Sequence, residues 1–290
     1  MRCARDRPIS TTHCSSFALA GDGVLNQYGG EGRAIIDTTR DLMGRDAAEW
    51  QARVDLAAAH RLAVHFGYHE GIDNHFTVLV PGHADRFLLA PFGLHWSEIR
   101  ARDFLVVDFA GNVLSGAGPV EDTAFHIHAP LHAARPDVAC VLHTHMPYAT
   151  ALSMLEAPDL LMVSQNAIGF AGLVACCDYA GFALDSSEGR RMAAALGDKA
   201  VLLLRNHGVV VTGTSIADAF NSLYFFERAA MTQILAQSSG HKIRLVPEPE
   251  LSRTVAQYTT SAQVEGLDRI DLHFSALKRM LDRQGADYAA

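Results

Sequence analysis

The chain has 290 residues, 49% hydrophobic and 19% charged, the balance of a folded globular protein and not of a disordered one. Its net charge of −8 and pI near 6.0, with Lys and Arg scattered, exclude the basic stripe of a nucleic-acid binder. No apolar run approaches the roughly 20 residues of a membrane helix, and Met1–Pro8, with Arg2, Arg5 and Arg7, lacks the apolar stretch of a secretory signal.

Residues 1–44 are rich in Gly, Ser, Thr and Arg without a sustained period, so they read as a leader of mostly loop. A helix is expected over Asp46–Phe66, where Trp50, Val54, Ala57, Ala58 and Leu62 recur at helical spacing and Gly67 stands ready as a cap. Strands follow over Phe76–Val80, Arg86–Ala90 and Phe104–Asp108, and their quick succession suggests antiparallel pairing. Asp122–Ala134 is helical again, until Arg135-Pro136 breaks it. Val138–Leu142 is a wholly apolar strand running into His143-Thr144-His145, followed by a helix over Pro147–Leu155. Glu188–Leu196 reads as helix, Val201–Leu204 as buried strand and Val209–Thr212 as its continuation or return. The last strong helix covers Ser215–Gln237, and a more polar tail, 241–290, holds one amphipathic stretch at Leu267–Leu281. The domain lies at 45–240, and its pattern is helices covering a mixed sheet.

Five cysteines (Cys3, Cys14, Cys140, Cys176 and Cys177) are irregularly spaced, with no CxxC, so a reducing cytoplasm is the expected compartment. Gly116-Ala117-Gly118 lacks a third glycine and makes a poor phosphate cradle, and no GxSxG is present.

There are fifteen histidines, and geometry must choose among them. His143 and His145 leave one face of a strand, because strand side chains repeat every second residue, and imidazoles that close can chelate a first-row metal. His207 ends a second apolar strand, and Gly208 permits a tight turn beside it. If the two strands are neighbours, three imidazoles converge; otherwise they are strand-end histidines with ordinary partners. His126 and His128 fall on a helix and point roughly 200° apart, so that HxH is set aside. His128 and His132, one helical turn apart, are the second candidate metal pair. His75, beside Asn74, is expected in a turn that faces the pocket.

The runs Ala133-Ala134-Arg135-Pro136-Asp137-Val138-Ala139-Cys140-Val141-Leu142-His143-Thr144-His145 and Arg205-Asn206-His207-Gly208 closely resemble the class II aldolase/adducin family. Gly71-Ile72-Asp73-Asn74-His75-Phe76 and Ala90-Pro91-Phe92-Gly93-Leu94 extend the resemblance over Ala47–Gln237. It implies a three-layer α/β/α sandwich with a largely antiparallel central sheet, and a homotetramer with sites between subunits. It implies one divalent ion on His143, His145 and His207, zinc first, with manganese or iron as alternatives. Asn74 and Gly93 are the implied substrate contacts. Two departures stand out. The family's catalytic Glu position falls on Ala124, with His128 one turn on, which leaves Glu121 as the candidate acid or base and Asp122 beside it. Glu121 would reach the site only if the helix start were remodelled; otherwise it is an acid favoured by the helix dipole. The segment that offers phosphate-binding hydroxyls reads Ala90-Pro91-Phe92-Gly93, which disfavours a sugar phosphate.

The expected function is a metal-dependent lyase, of aldolase or decarboxylase type, acting on a small hydroxy or oxo compound through an enolate that the ion stabilises as Lewis acid. A non-haem iron oxygenase on the same three histidines and a non-catalytic, adducin-like scaffold are the alternatives.

Overall fold

The computed structural model describes residues 47–260, 263–264 and 266–290. The expected leader at 1–44, with Cys3 and Cys14, lies outside them. The described chain runs α1 (Ala47–Phe66), β1 (His75–Leu79), β2 (Arg86–Leu89), β3 (Leu105–Asp108), β4 (Val113–Ser115), α2 (Asp122–Ala134) and β5 (Cys140–Thr144). It continues with α3 (Pro147–Ser153), α4 (Gln165–Ile168), β6 (Val174–Cys177), α5 (Ser186–Leu196), β7 (Val201–Leu204) and β8 (Gly208–Gly213). Last come α6 (Ile216–Ser238), α7 (Glu248–Thr260), the two-residue strands β9 (Gln263–Val264) and β10 (Leu267–Asp268), and α8 (Arg269–Arg283).

Eight strands form one sheet in the order β4-β3-β2-β1-β5-β8-β7-β6. Every pairing in it is antiparallel except β6 with β7. Strand alternation divides the core. Phe76, Val78, Leu142, Val209 and Val211 join the large cluster under α1, α3, α6 and α8. Val141, Leu202, Leu204 and Val210 turn the other way, onto α2 and α5. The result is the expected three-layer sandwich. α2 and α5 approach closely because Gly189 faces the His126 carbonyl; a Cβ there would stand 2.1 Å from that oxygen.

Two strands begin elsewhere than the sequence suggests. β1 starts at His75, so His75 is a ladder residue opposite His143 and not part of a turn. β5 covers Cys140–Thr144, so His143 lies inside the strand. Pattern placed both on apolar runs, but the ladder continues through polar residues that find partners. β8 returns antiparallel to β7 instead of continuing it. α4, α7 and β4 had no readable period. The amphipathic tail forms α8, whose Phe274 and Leu281 are buried in the main core. Cys140 and Cys177 are buried, Cys176 is exposed, and all three are free.

His60 of α1 is enclosed by Phe76, Trp96 and Phe104, with ring centroids 5.0, 4.7 and 5.6 Å away, and its Nδ1 bonds the Leu56 carbonyl at 2.8 Å. Burial lowers its pKa from the ordinary 6.5 to about 4, against the opposing Leu56 bond. The unfolded chain therefore binds a proton here that the folded chain refuses. The stability this histidine lends is present above pH 6.5 and is lost as pH falls toward 4. Thermal unfolding of wild type should show Tm dropping across that interval, and His60→Phe should drop less steeply; equal slopes would contradict the assignment.

Candidate active site

Three junctions bring the key histidines together. β1 and β5 pair with His75 opposite His143, and β5 pairs with β8 with Thr144 opposite Val209. The β7–β8 hairpin closes between Leu204 and Gly208, and Asn206 takes φ +56° in its turn, which delivers His207 to the end of β5. A Cβ on Gly208 would lie 2.5 Å from the Thr144 carbonyl oxygen and 2.8 Å from His145 Cδ2, so only glycine permits this approach. Immediately after His145, α3 is anchored by buried Glu227, whose carboxylate accepts the Tyr148 and Ala149 N–H groups at 2.8 Å each. Burial raises the Glu227 pKa, and those two bonds oppose the rise.

The ligand-capable atoms of His143, His145 and His207 all lie within 4.8 Å of one another. Zinc–nitrogen bonds of about 2.1 Å allow ligand separations up to about 4.2 Å, so only small ring movements separate this arrangement from a coordination shell. Hydrogen bonds orient two rings in advance. His143 Nδ1 donates to the Val209 carbonyl at 3.0 Å, which leaves Nε2 with its lone pair. His145 Nδ1 is held by the Glu70 carboxylate, and its buried Nε2 has no partner. Burial, then His75 and His207, lowers the pKa of His143 well below the ordinary value. Burial, then His145, lowers that of His207 to about 4. These two rings are therefore neutral at pH 7, the form a metal requires.

The triplet opens on a cavity of about 650 Å³. Its lining is polar at Glu70, Asp73, Asn74, His75 and Glu121 and apolar at Ile127, Met154, Phe182 and Met192. Among the described residues, no Lys or Arg lines it. Phe182 stands 81% exposed beside the entrance.

Asn74 lines this cavity with φ +74°, and its Oδ1 accepts from the His145 N–H at 3.3 Å. Glu121 also faces it, with no remodelling of the helix start. It is the N-cap of α2, accepting from the Thr123 N–H at 3.1 Å, the Thr123 hydroxyl at 2.8 Å and the Ala124 N–H, and its Oε2 lies 4.0 Å from His75 Nε2. Asp122 is exposed and does not line the cavity. Gly93 does not either. It occupies a turn after β2 at φ +99°, because its segment is tied to the α2 approach through the Phe92 N–H to Pro119 carbonyl bond of 2.9 Å.

His128 and His132 do share a helical face, but they bind protein and not each other. Their ring centroids are 6.5 Å apart, and both bond to the Thr77 hydroxyl. Sequence reasoning missed two neighbours of the site, Glu70 and Thr77. Glu70, in a loop, left no signal. His75 and Thr77 did leave one, an i,i+2 polar pair in an apolar strand matching the i,i+4 pair on α2.

The sheet and its covering helices are those of the class II aldolase fold. Residues 54–234 match the family described as the Class II Aldolase and Adducin N-terminal domain. The structure is similar to that of an aldolase II superfamily protein from Pseudomonas syringae, at 37% identity and a TM-score of 0.78, over 87% of this chain and 99% of that one. It is similar also to L-fuculose 1-phosphate aldolase from Glaciozyma antarctica PI12, at 27% identity and a TM-score of 0.71, over 83% and 93%. Alpha-adducin of Rattus norvegicus is 33% identical over 268 residues, 87% of this chain but 36% of adducin. The chain belongs to the class II aldolase/adducin family. Among the described residues no helix is long and apolar enough to cross a membrane.

Glu70 should tune metal affinity by fixing His145. Zinc titration monitored by calorimetry should show binding about 10–100-fold weaker in Glu70→Ala than in wild type. Equal affinities would remove Glu70 from that role.

Proposed function

We propose that this protein is a metal-dependent carbon–carbon lyase acting on a small, unphosphorylated hydroxy or oxo compound. The observation that carries the reading is the pair of pre-oriented rings: Val209 and Glu70 occupy the Nδ1 atoms of His143 and His145, which leaves both Nε2 atoms for a ligand, and a ligand-capable nitrogen of His207 completes the set within 4.8 Å. A divalent ion on these residues would supply Lewis-acid polarisation of a substrate oxygen. We assign it as zinc, with manganese or iron as alternatives.

The chain's own groups support the rest. Asn74 is braced against the His145 backbone and presents its amide to the substrate. The Glu121 carboxylate is held in place by Thr123 and Ala124 and serves as the acid or base that moves a proton at Oε2. A phosphate needs cationic or clustered N–H and hydroxyl partners, whereas the described lining carries three carboxylates and an apolar wall. An uncharged or aromatic substituent against Ile127, Met154 and Phe182 suits it better. The exposed side chains of Phe182 and Leu184 fit burial in a homotetramer with sites between subunits, as the family resemblance implies. The free cysteines fit a reducing cytoplasm.

Similarity to adducin keeps a second reading, a metal-free binding protein, and O₂ uptake by an iron-loaded protein would favour the oxygenase reading. Elemental analysis of purified protein should find about one metal per chain, lost in a His143→Ala, His145→Ala double variant; no metal in wild type would favour the binding role. Among candidate substrates, unphosphorylated hydroxy and oxo acids should be cleaved in preference to sugar phosphates. Glu121→Gln should keep the metal and lower turnover by about 10²–10⁴. Unchanged turnover would reduce Glu121 to a helix cap.

A further inference from the structure

On the side of the sheet that faces α2, four polar side chains meet where a strand and a helix normally exchange apolar ones. The two-residue repeat of β1 puts His75 and Thr77 on that side, and the helical turn of α2 stacks His128 and His132 opposite them. His75 Nδ1 lies 2.7 Å from His128 Nε2. His128 Nδ1 lies 2.6 Å from Thr77 Oγ1, which lies 2.8 Å from His132 Nε2. All four residues are buried. The row begins in the cavity, since His75 lines it, stacks beside His143 at 4.9 Å and turns Nε2 toward the Glu121 carboxylate.

Each of the three links holds one proton, and the buried Thr77 hydroxyl, whose partners are these two rings, must donate to one of them, so the row has two possible directions. Its ends decide between them. At the far end, His132 Nδ1 is buried without a hydrogen-bond partner. The Val138 carbonyl draws on that ring without closing a bond to it. That carbonyl favours an N–H at Nδ1, but no bond closes there and its pull is that of a single dipole. At the cavity end, the Glu121 carboxylate 4.0 Å from His75 Nε2 attracts an N–H and repels a lone pair. The carboxylate carries a full charge and the carbonyl only a dipole, so the cavity end sets the direction. His132 Nε2–H donates to Thr77, the Thr77 hydroxyl donates to His128 Nδ1, and His128 Nε2–H donates to His75 Nδ1. The one proton left to His75 sits on Nε2 and points into the cavity.

We propose that His75 is a catalytic hydrogen-bond donor of this site. Its Nε2–H contacts the substrate oxygen on which negative charge grows as the carbon–carbon bond breaks, and Thr77, His128 and His132 are positioning residues that fix its tautomer. No proton leaves the row, so the three rings end the cycle as they began it. This assignment rests on the lyase reading for its substrate and on the hydrogen-bond row alone for its tautomer, and the two can be tested apart.

The tautomer is read by NMR of protein labelled with ¹⁵N at histidine, with no substrate present. Wild type should show His75 as a single Nε2–H tautomer with Nδ1 as acceptor, and Thr77→Val, which cuts the row away from the cavity, should give a mixture. An Nδ1–H tautomer in wild type would overturn the proposal. Substrate contact is read by calorimetry of zinc-loaded protein with acetohydroxamate, a small chelating oxyanion. His75→Ala should bind it about 10-fold or more weakly, less than the roughly 10²–10³ that losing one oxyanion donor costs in rate. His75→Gln, which restores an N–H donor, should recover part of the loss. Thr77→Val should fall between wild type and His75→Ala. Equal binding by wild type and His75→Ala would overturn the contact. A wild-type protein that takes up none of zinc, manganese or iron would instead overturn the lyase reading and the substrate contact with it, while the tautomer measurement would still judge the row.

Discussion

The register of β5 between β1 and β8 is the constraint on which the cavity depends. With Leu142 opposite Phe76 and Val211, Val141 and His143 turn toward α2 and Leu142 toward α1 and α6. A slip of one residue would exchange those faces, burying His143 in the main apolar core and turning Leu142 outward. The slip is opposed from both sides. Apolar residues of β5 fill two different clusters, and the close fit of Gly208 against Thr144 and His145 allows no displacement of the hairpin. The same packing that stabilises the sheet therefore sets the separation of the three imidazoles.

Position alone does not make an imidazole a ligand or a donor, because each ring offers two nitrogens. Here the second nitrogen is assigned a partner in each well-placed case. Val209 takes His143, Glu70 takes His145, and His128 takes His75. Three partners thus orient the rings, Glu70 from the cavity lining and Val209 and His128 from behind it. The electrostatics agree, since burial disfavours protonation of His143, His207 and His75, the last held to about 3, and keeps them neutral across the physiological range.

How much of this was legible follows from the range of each interaction. The long helices α1 and α6 and the strands of β7 and β8 carry their periodicity locally, so pattern placed them within a few residues. The HxH pair was legible because its two members sit one residue apart at a strand end, and the third histidine because an Asn-His-Gly turn ends a second strand. β1 was placed to start late, at Phe76, and β5 to start early, at Val138, because the apolar run, not the ladder, was visible; the true start of β1 rests on His75 finding His143 across the sheet. Glu121 was expected to need a rearranged helix, but a capping carboxylate lies at the helix mouth and faces the cavity while it caps. Gly93 was carried over by resemblance and lies elsewhere, since nothing local fixes a loop's direction. Glu70 and the partner of His75 are non-local contacts, separated in sequence by 75 and 53 residues, and no pattern within one element could announce them.

The buried row on α2 bears on how the fold divides stability from chemistry. The face of α2 toward β1 holds His128 and His132 where leucine or valine would fill the space without needing partners, and replacing a buried polar set with apolar residues is often neutral or stabilising. Hydrogen bonds among the four side chains offset their desolvation, but they add little net stability beyond that. Their surplus is directional. A chain of donors and acceptors has one orientation when its two ends differ, and these ends do differ, with a carboxylate at one and a bare nitrogen at the other. An apolar core would have held β1 against α2 equally well. It could not have chosen which nitrogen of His75 carries the proton, and that choice is what a cavity wall built from a strand's first residue needs from the layer behind it.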